Sequence, residues 1–429
     1  MLPIFIESDI LKSDDYADKR GEITSIPHII KYMGSKKPII DFVTNAIVDI
    51  HIDLEKPVCD LFSGSCSVSA ALRKQLDFIS NDVQEYSAIL AKTYFSDLSQ
   101  FDFPEIHSRI LLVAEKHRLL FLNKFPDLFF DYSKVVALES YQYIESLQRQ
   151  LMEGQAIDFD FHLFVKMYSG TYWSFEQCVW IDSLRKSAEE FKSSPVYFAV
   201  LSSLMYAMSY TTQSTGHFAQ YRDGTSIEAM NNILTYRQKN LVELFSKKLK
   251  ELFDSLDNSL KTLKTYTLSF EKCLQFIPVG STVYADPPYA PVHYSRFYHA
   301  LETLAKYDYP TITHKGRYRD DRHQSPFSQK TKASKAFADL FTGVKSRKAQ
   351  LVLSYSDNGV VKIDDIKDLA KSVFSAKSYN LHVKKLEHKH STMGRFEDPD
   401  RDVVEYLIIA SSKVIATPLG LGHGILSET

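Results

Sequence analysis

The sequence predicts an α/β protein, a doubly wound sheet whose strand–helix alternation is broken by a long, mainly helical insertion. Three observations carry this. First, "KPVCDLFSGSCSVSAALRKQL" from Lys56 reads as strand, glycine-containing turn and helix, and "FISND" from Phe78 as a second short strand. Second, residues 101–264 lose the alternation and show helical periods, as in "VYFAVLSSLMYAMSY" and "NLVELFSKKLKELFDSL". Third, strand-like runs return as "TYTLSF", "STVYADPPY", "AQLVLSYSD" and "EYLIIA".

In chain order, residues 1–26 read as an N-terminal arm and 27–100 as the first part of the sheet domain. Val58 to Phe62 is the first strand of that part, Ser63 to Ser67 the turn, and Ala70 to Leu72 continue a helix. The helical domain follows, then residues 265–415 complete the sheet, and 416–429 form a tail. Within the second part, 290–333 read as a long, loop-rich basic segment.

Composition bounds the function classes. The 429 residues are 44% hydrophobic, ample for a large core, and the formal net charge of -2 excludes a uniformly basic nucleic-acid coat. A nucleic-acid partner must then meet a local basic face. Cys59, Cys66, Cys178 and Cys273 form no CxxC pair and no zinc-spaced cluster, which argues against a disulfide framework and for a reducing cytoplasm. The N-terminus lacks a signal-peptide pattern, and no apolar stretch reaches membrane-spanning length.

Two stretches have the make-up of a nucleotide site. Gly64 permits close backbone approach after the first strand, and Asp82, at the end of the second, is placed to accept hydrogen bonds from ribose hydroxyls. A plain βαβ turn has the same form. Upstream, "YMGSKKP" places Tyr32 and Lys36 at a spacing that suits a carboxylate partner, although a solvated loop lysine reads alike. More specific is Asp286-Pro287-Pro288-Tyr289, at the C-terminal end of a strand where doubly wound sheets bind ligands. Adjacent prolines stop the strand and fix carbonyls in space. Asp286 and the Pro287 carbonyl can accept two hydrogen bonds from one amino group, and Tyr289 can stack on the ring that carries it.

Together these parts resemble the Dam-like, alpha-class DNA adenine-N6 methyltransferases. Their motif order is YxGxK, FxGxG, an acidic residue, a target-recognition region, then DPPY. Here it runs Tyr32 to Lys36, Phe62 to Cys66, Asp82, the helical insertion, and Asp286 to Tyr289. The resemblance covers residues 27 to 100 and 265 to 412, and implies a Rossmann-like methyltransferase sheet with an inserted target-recognition domain. It implies S-adenosylmethionine as cofactor, with Tyr32, Lys36, Asp60, Phe62, Gly64, Asp82 and Asp286 around it. Methyl transfer to a flipped-out adenine in double-stranded DNA follows, with a separately encoded restriction enzyme as a partner and no membrane role. Cys66 departs from the family's second glycine; a side chain there is expected to need ordinary φ and to add bulk beside the cofactor. A catalytically silent DNA-binding protein is therefore the rival of another class. RNA or protein-amide methylation is disfavoured because those substrates more often go with Asn-Pro-Pro, and no nuclease motif is evident.

For DNA contact, "THKGRYRDDRHQ" gathers His314, Lys315, Arg317, Arg319, Arg322 and His323 around Tyr318, and Arg296 lies just upstream. Such residues grip phosphates or read guanine. Internal pairing with Asp320 and Asp321 is the competing reading. Phe218, Gln220 and Arg222, in "QSTGHFAQYRD", are further candidates by resemblance to the family's recognition region.

Overall fold

The apolar runs assemble into an eight-stranded sheet in the computed structural model, which describes residues 5–12, 26–34, 36–154, 157–214, 217–257, 261–290, 294–391 and 400–413. The strands are β1 (Phe5–Lys12), β2 (Val58–Asp60), β3 (Phe78–Asn81), β4 (Leu263–Tyr266), β5 (Thr282–Ala285), β8 (Gln350–Ser356), β9 (Tyr379–Ser391) and β10 (Asp400–Ser412). Between β5 and β8, β6 (Ile312–Thr313) and β7 (Tyr318–Arg319) form a separate hairpin. The sheet order is β1-β9-β10-β8-β5-β2-β3-β4. From β8 to β4 all neighbours are parallel, β10 runs antiparallel to β8 and β9, and β1 is parallel to β9.

The helices are α1 (Ile40–Ile50), α2 (Ser67–Leu72), α3 (Glu85–Tyr94), α4 (Phe103–Lys124), α5 (Leu138–Arg149), α6 (Leu163–Tyr168) and α7 (Phe175–Ala188). They continue with α8 (Pro195–Thr211), α9 (Ile227–Arg237), α10 (Leu241–Ser255), α11 (Phe270–Phe276), α12 (Tyr294–Lys306), α13 (Ala333–Ser346) and α14 (Ile363–Val373). None is long and apolar enough to cross a membrane.

Central strands are apolar at successive positions because both faces are covered. Val58, Phe78, Tyr284, Val352 and Leu407 pack with α1 and α2. Their neighbours Cys59, Ile79, Val283, Leu351 and Ile408 pack on the other face with α11, α13 and α14. The period of two in a strand makes this division.

The helical insertion shares a core with the sheet domain. Ile29, Ile30, Tyr86 and Leu90 join one buried cluster with α4, α6, α7, α8, α10 and α12. α8 is buried nearly all round, which explains its weakly amphipathic sequence. Side chains at the helix starts satisfy free N–H groups: Asp102 caps α4, Ser174 and Gln177 form a capping box on α7, and Asn240 caps α10.

Two sequence expectations are corrected. Residues 5–12 of the arm are an edge strand, paired with β9 from Phe5↔Leu381 to Lys12↔Glu387. The loop-rich segment 290–333 also holds a helix that the sequence reading missed: Phe297, Tyr298, Leu301 and Leu304 give α12 a buried face that the many charges nearby obscured. The tail from 416, and residues 13–25 of the arm, lie outside the described residues.

Candidate active site

Chain order reverses about β2. The chain leaves it towards β3 and β4 on one side, and later returns through β5 on the other. The crevice beyond the carboxyl ends of β2 and β5 is the place where such sheets bind ligands. One cleft opens there. It is lined by the turn after β2, the residues after β3, the start of α11, the DPPY loop and the start of α12.

The turn after β2 is tied down on all sides. The Ser63 hydroxyl donates to the Asp60 carbonyl (2.9 Å), and the Ser63 N–H to the Asn81 carbonyl (2.9 Å). Gly64 sits at φ 50°, where a Cβ would lie 2.5 Å from the Tyr32 hydroxyl oxygen, so only glycine lets the tyrosine close over the turn. Tyr32 is itself held by stacking on Tyr298 at 4.8 Å, and the Tyr298 hydroxyl accepts the Met33 N–H (2.6 Å). The Gly64 and Gln84 N–H groups donate to the two Asp82 oxygens, both at 3.0 Å. Asp82 therefore joins the two loops that wall one side of the cleft. Burial raises its pKa to about 6, against the opposing effect of these N–H donors.

Asp60 ends β2 with a buried carboxyl whose Oδ1 has no hydrogen-bond partner among the described residues. Burial, then the charges of Asp286 and Asp82, push its pKa well up. Asp60 lines the cleft, while its Oδ1 is closed off from solvent. Phe62 lines the same wall, packed edge-on against Phe327. Asn81, which sequence reading passed over, joins the β2 and β4 ends: its Nδ2 donates to the carbonyls of Leu61 (3.0 Å) and Leu268 (3.1 Å).

Across the cleft, the DPPY loop is equally fixed. The Ser328 hydroxyl donates to the Pro288 carbonyl (3.1 Å), and the Val360 N–H to the Tyr289 carbonyl (3.0 Å). The Tyr289 ring packs edge-on against Tyr355 at 5.3 Å. Lys36 is buried, with Nζ 3.1 Å from Asp286 Oδ1 and 2.7 Å from Glu405 Oε1. Glu405 on β10 also accepts from the Ser354 hydroxyl. Its position inside an apolar strand run gave no hint of this pairing in the sequence. Asp286 has its pKa raised to about 6, by burial first and by Glu405, against the Lys36 ammonium. Tyr294, at the start of α12, closes the rim; it too was not singled out from sequence.

Cys66 differs from its expected role. It takes φ 59°, the left-handed conformation that glycine prefers, and is fully buried. Its thiol points to the Ser87 carbonyl (3.3 Å) rather than into the cleft lining. The departure from glycine costs backbone strain of about 1–2 kcal/mol, and leaves the cleft open.

The basic residues divide sharply. Arg319 is 2% exposed and makes four hydrogen bonds, to Asp308 (2.6 and 2.8 Å) and Asp321 (2.9 and 2.8 Å). Arg317 is buried and donates to the Met167 carbonyl. Phe218 is core, its ring 5.5 Å from Trp173. These three were expected at a DNA surface and are instead inside, because α12 and the β6–β7 hairpin fold the segment onto α6. Arg322 lies half-buried over Tyr318 at 4.5 Å. Lys315, Arg222, Arg296, Gln220, His314 and His323 are exposed, Lys315 in an ion pair with Asp223. Ser35 of the Tyr32–Lys36 motif lies outside the described residues. Among the described residues no cluster could hold a metal ion.

A family profile described as D12 class N6 adenine-specific DNA methyltransferase matches residues 32–369. The modification methylase LlaI of Lactococcus lactis subsp. lactis is 24% identical over 347 residues, covering 80% of this chain and 48% of that protein. The type II methyltransferase M.FokI of Planomicrobium okeanokoites is 23% identical over 370 residues, covering 84% and 50%. The modification methylase StsI of Streptococcus sanguinis is 24% identical over 349 residues, covering 80% and 46%. The chain thus spans about half the length of these relatives.

Proposed function

The chain belongs to the D12 class of N6 adenine-specific DNA methyltransferases, and from that premise we propose that it methylates the exocyclic amine of a flipped-out adenine in duplex DNA. Its context would be a bacterial restriction-modification system, as the names of its relatives suggest. The observation that carries the reading is that the glycine turn after β2 and the DPPY loop after β5 line one shared cleft at the switch point.

S-adenosylmethionine, when bound, supplies an electrophilic methyl group. The residues that line the β2 side suit it: the Asp60 carboxyl, the Gly64 turn closed over by Tyr32, Phe62 and Asp82. On the β5 side the target adenine sits against Tyr289, which offsets part of the cost of unstacking the base. Its amine donates to Asp286 and the Pro287 carbonyl. The lone pair of that nitrogen is delocalised into the ring, so it is a poor nucleophile. Two fixed acceptors favour a pyramidal nitrogen and stabilise the positive charge that develops on it. Lys36 lines the cleft and pairs with Asp286 and Glu405, so it holds the acceptor in place beside the cofactor site.

Residues 101–264 are proposed as the target-recognition region. Arg222, Arg296 and Lys315 are the exposed candidates for phosphate contact, with Arg322 beside them. A silent DNA-binding protein is the weaker reading, since its motive was Cys66 and that thiol faces the core.

The test is modification-sensitive long-read sequencing of plasmid DNA from cells expressing the chain, beside an Asp286→Ala control. N6-methyladenine in one short motif, lost by orders of magnitude in the control, is expected. Absence of modified adenine with the unaltered chain would sink the reading.

A further inference from the structure

We infer that Glu405 is a positioning residue of the reaction centre, which competes with Asp286 for the Lys36 ammonium and so keeps Asp286 a strong acceptor for the target amine. The inference rests on the methyltransferase reading above.

The geometry carries it. Lys36, Asp286 and Glu405 come from three distant parts of the chain: the loop before α1, the end of β5 and the middle of β10. The ammonium is 2.7 Å from Glu405 and 3.1 Å from Asp286, so its closer partner is the carboxylate outside the DPPY motif. Glu405 is 2% exposed, against a side-chain exposure of 20% for Asp286. Only Asp286 therefore reaches the cleft, and Glu405 is absent from its lining. The Ser354 hydroxyl donates to Glu405 and fixes the carboxylate behind the lysine.

A buried ammonium with one carboxylate partner would be neutralised by it, and that carboxylate would become a weaker acceptor. With two carboxylates the cluster keeps a net negative charge. The side facing the cleft is then suited to an amine that gains positive charge during methylation. Other groups facing Asp286 are the phenols of Tyr284, Tyr289, Tyr294 and Tyr32, and Asp60. All four phenols are held neutral by burial, so among these groups Asp60 is the further carboxylate and Lys36 the cation.

The sign of the effect follows. Glu405 raises the Asp286 pKa and Lys36 lowers it. Removing the Glu405 charge leaves Lys36 acting alone, and the Asp286 pKa falls. Glu405→Gln keeps the shape and both hydrogen-bonding positions. Two readouts are to be compared in the full chain and in this variant: the Asp286 titration, by carbon NMR of aspartate-labelled protein without DNA, and the pH profile of kcat for methyl transfer.

The expected result is an Asp286 titration and an acid limb of kcat that both move about one pH unit lower. Plateau kcat is expected to fall about tenfold, with cofactor affinity changed less than threefold. Should Glu405→Gln fail to fold, Glu405→Asp is expected to give a smaller shift in the same direction, because the shorter arm loosens its hold on Lys36. If the unaltered chain methylates DNA and neither variant moves the limb, the inference is overturned while the function stands. If the titration moves and the unaltered chain methylates nothing, the methyltransferase reading fails and takes this inference with it.

Discussion

Asp60 shows at the scale of one residue how a binding site opposes stability. Its carboxyl is buried with one unpartnered oxygen, and its pKa is well above the ordinary value, chiefly through burial. A raised folded-state pKa means that stability present at low pH is lost as pH rises from the unfolded value towards the folded one. Asp60→Asn removes the buried charge at the same volume. The variant is expected to melt about 2–5 °C higher than the natural chain at pH 7.5, with the difference shrinking towards pH 4. S-adenosylmethionine binding, measured by calorimetry, is expected to weaken at least tenfold. A lower melting temperature at pH 7.5 would show that the Asp60 charge is satisfied within the protein. Asp82 and Asp286, each with a pKa raised to about 6, add to the same trend, so all three carboxyls favour the folded chain less at neutral pH than at pH 4.

Among the elements, the β6–β7 hairpin and α12 decide which cations are buried and which stay exposed. Replacing Arg222, Arg296 and Lys315 by alanine is expected to weaken DNA binding and lower the salt slope by about one for each phosphate that is no longer neutralised. Arg319→Ala is expected to leave that slope unchanged and to destabilise the fold by about 1–3 kcal/mol. Binding measured across a salt series, with thermal melts, separates the two classes; an Arg319→Ala variant with normal stability and a reduced slope would reverse the assignment. Here the limit of the sequence is visible. Asp320 and Asp321 announced an internal pair, and Asp321 is one, but Asp308 lies eleven positions away and could not be read as the second partner. The glycine turn, Asp82 and DPPY were legible because each chemistry is local in the chain. Glu405 and Asn81 were not, because their partners are fixed only when distant strands become neighbours. β1 and β9 were missed for a related reason: charged residues interrupt both runs, and β9 becomes an inner strand only because β1 and β10 pair on its two sides.

At the scale of the whole molecule, the helical insertion and the sheet share one buried cluster. Replacing residues 103–255 by a short linker would expose Ile29, Ile30, Tyr86, Leu90, Phe297, Leu301 and Leu304. Each such side chain is worth about 1.5–3 kcal/mol of burial, and together they are comparable to or larger than the usual net stability of about 5–15 kcal/mol. The shortened chain is expected to show no cooperative melt in calorimetry; a sharp transition would mean that the sheet folds alone. The same topology has a consequence in time. β2 and β5 are neighbours in the sheet, yet the whole insertion is made between them. At roughly 5–20 residues per second of synthesis, the wall that carries Asp60 waits on the order of tens of seconds for the wall that carries Asp286. During that interval the nascent chain lacks the second wall, and the cleft is complete only once the late strands have emerged and closed beside the early ones.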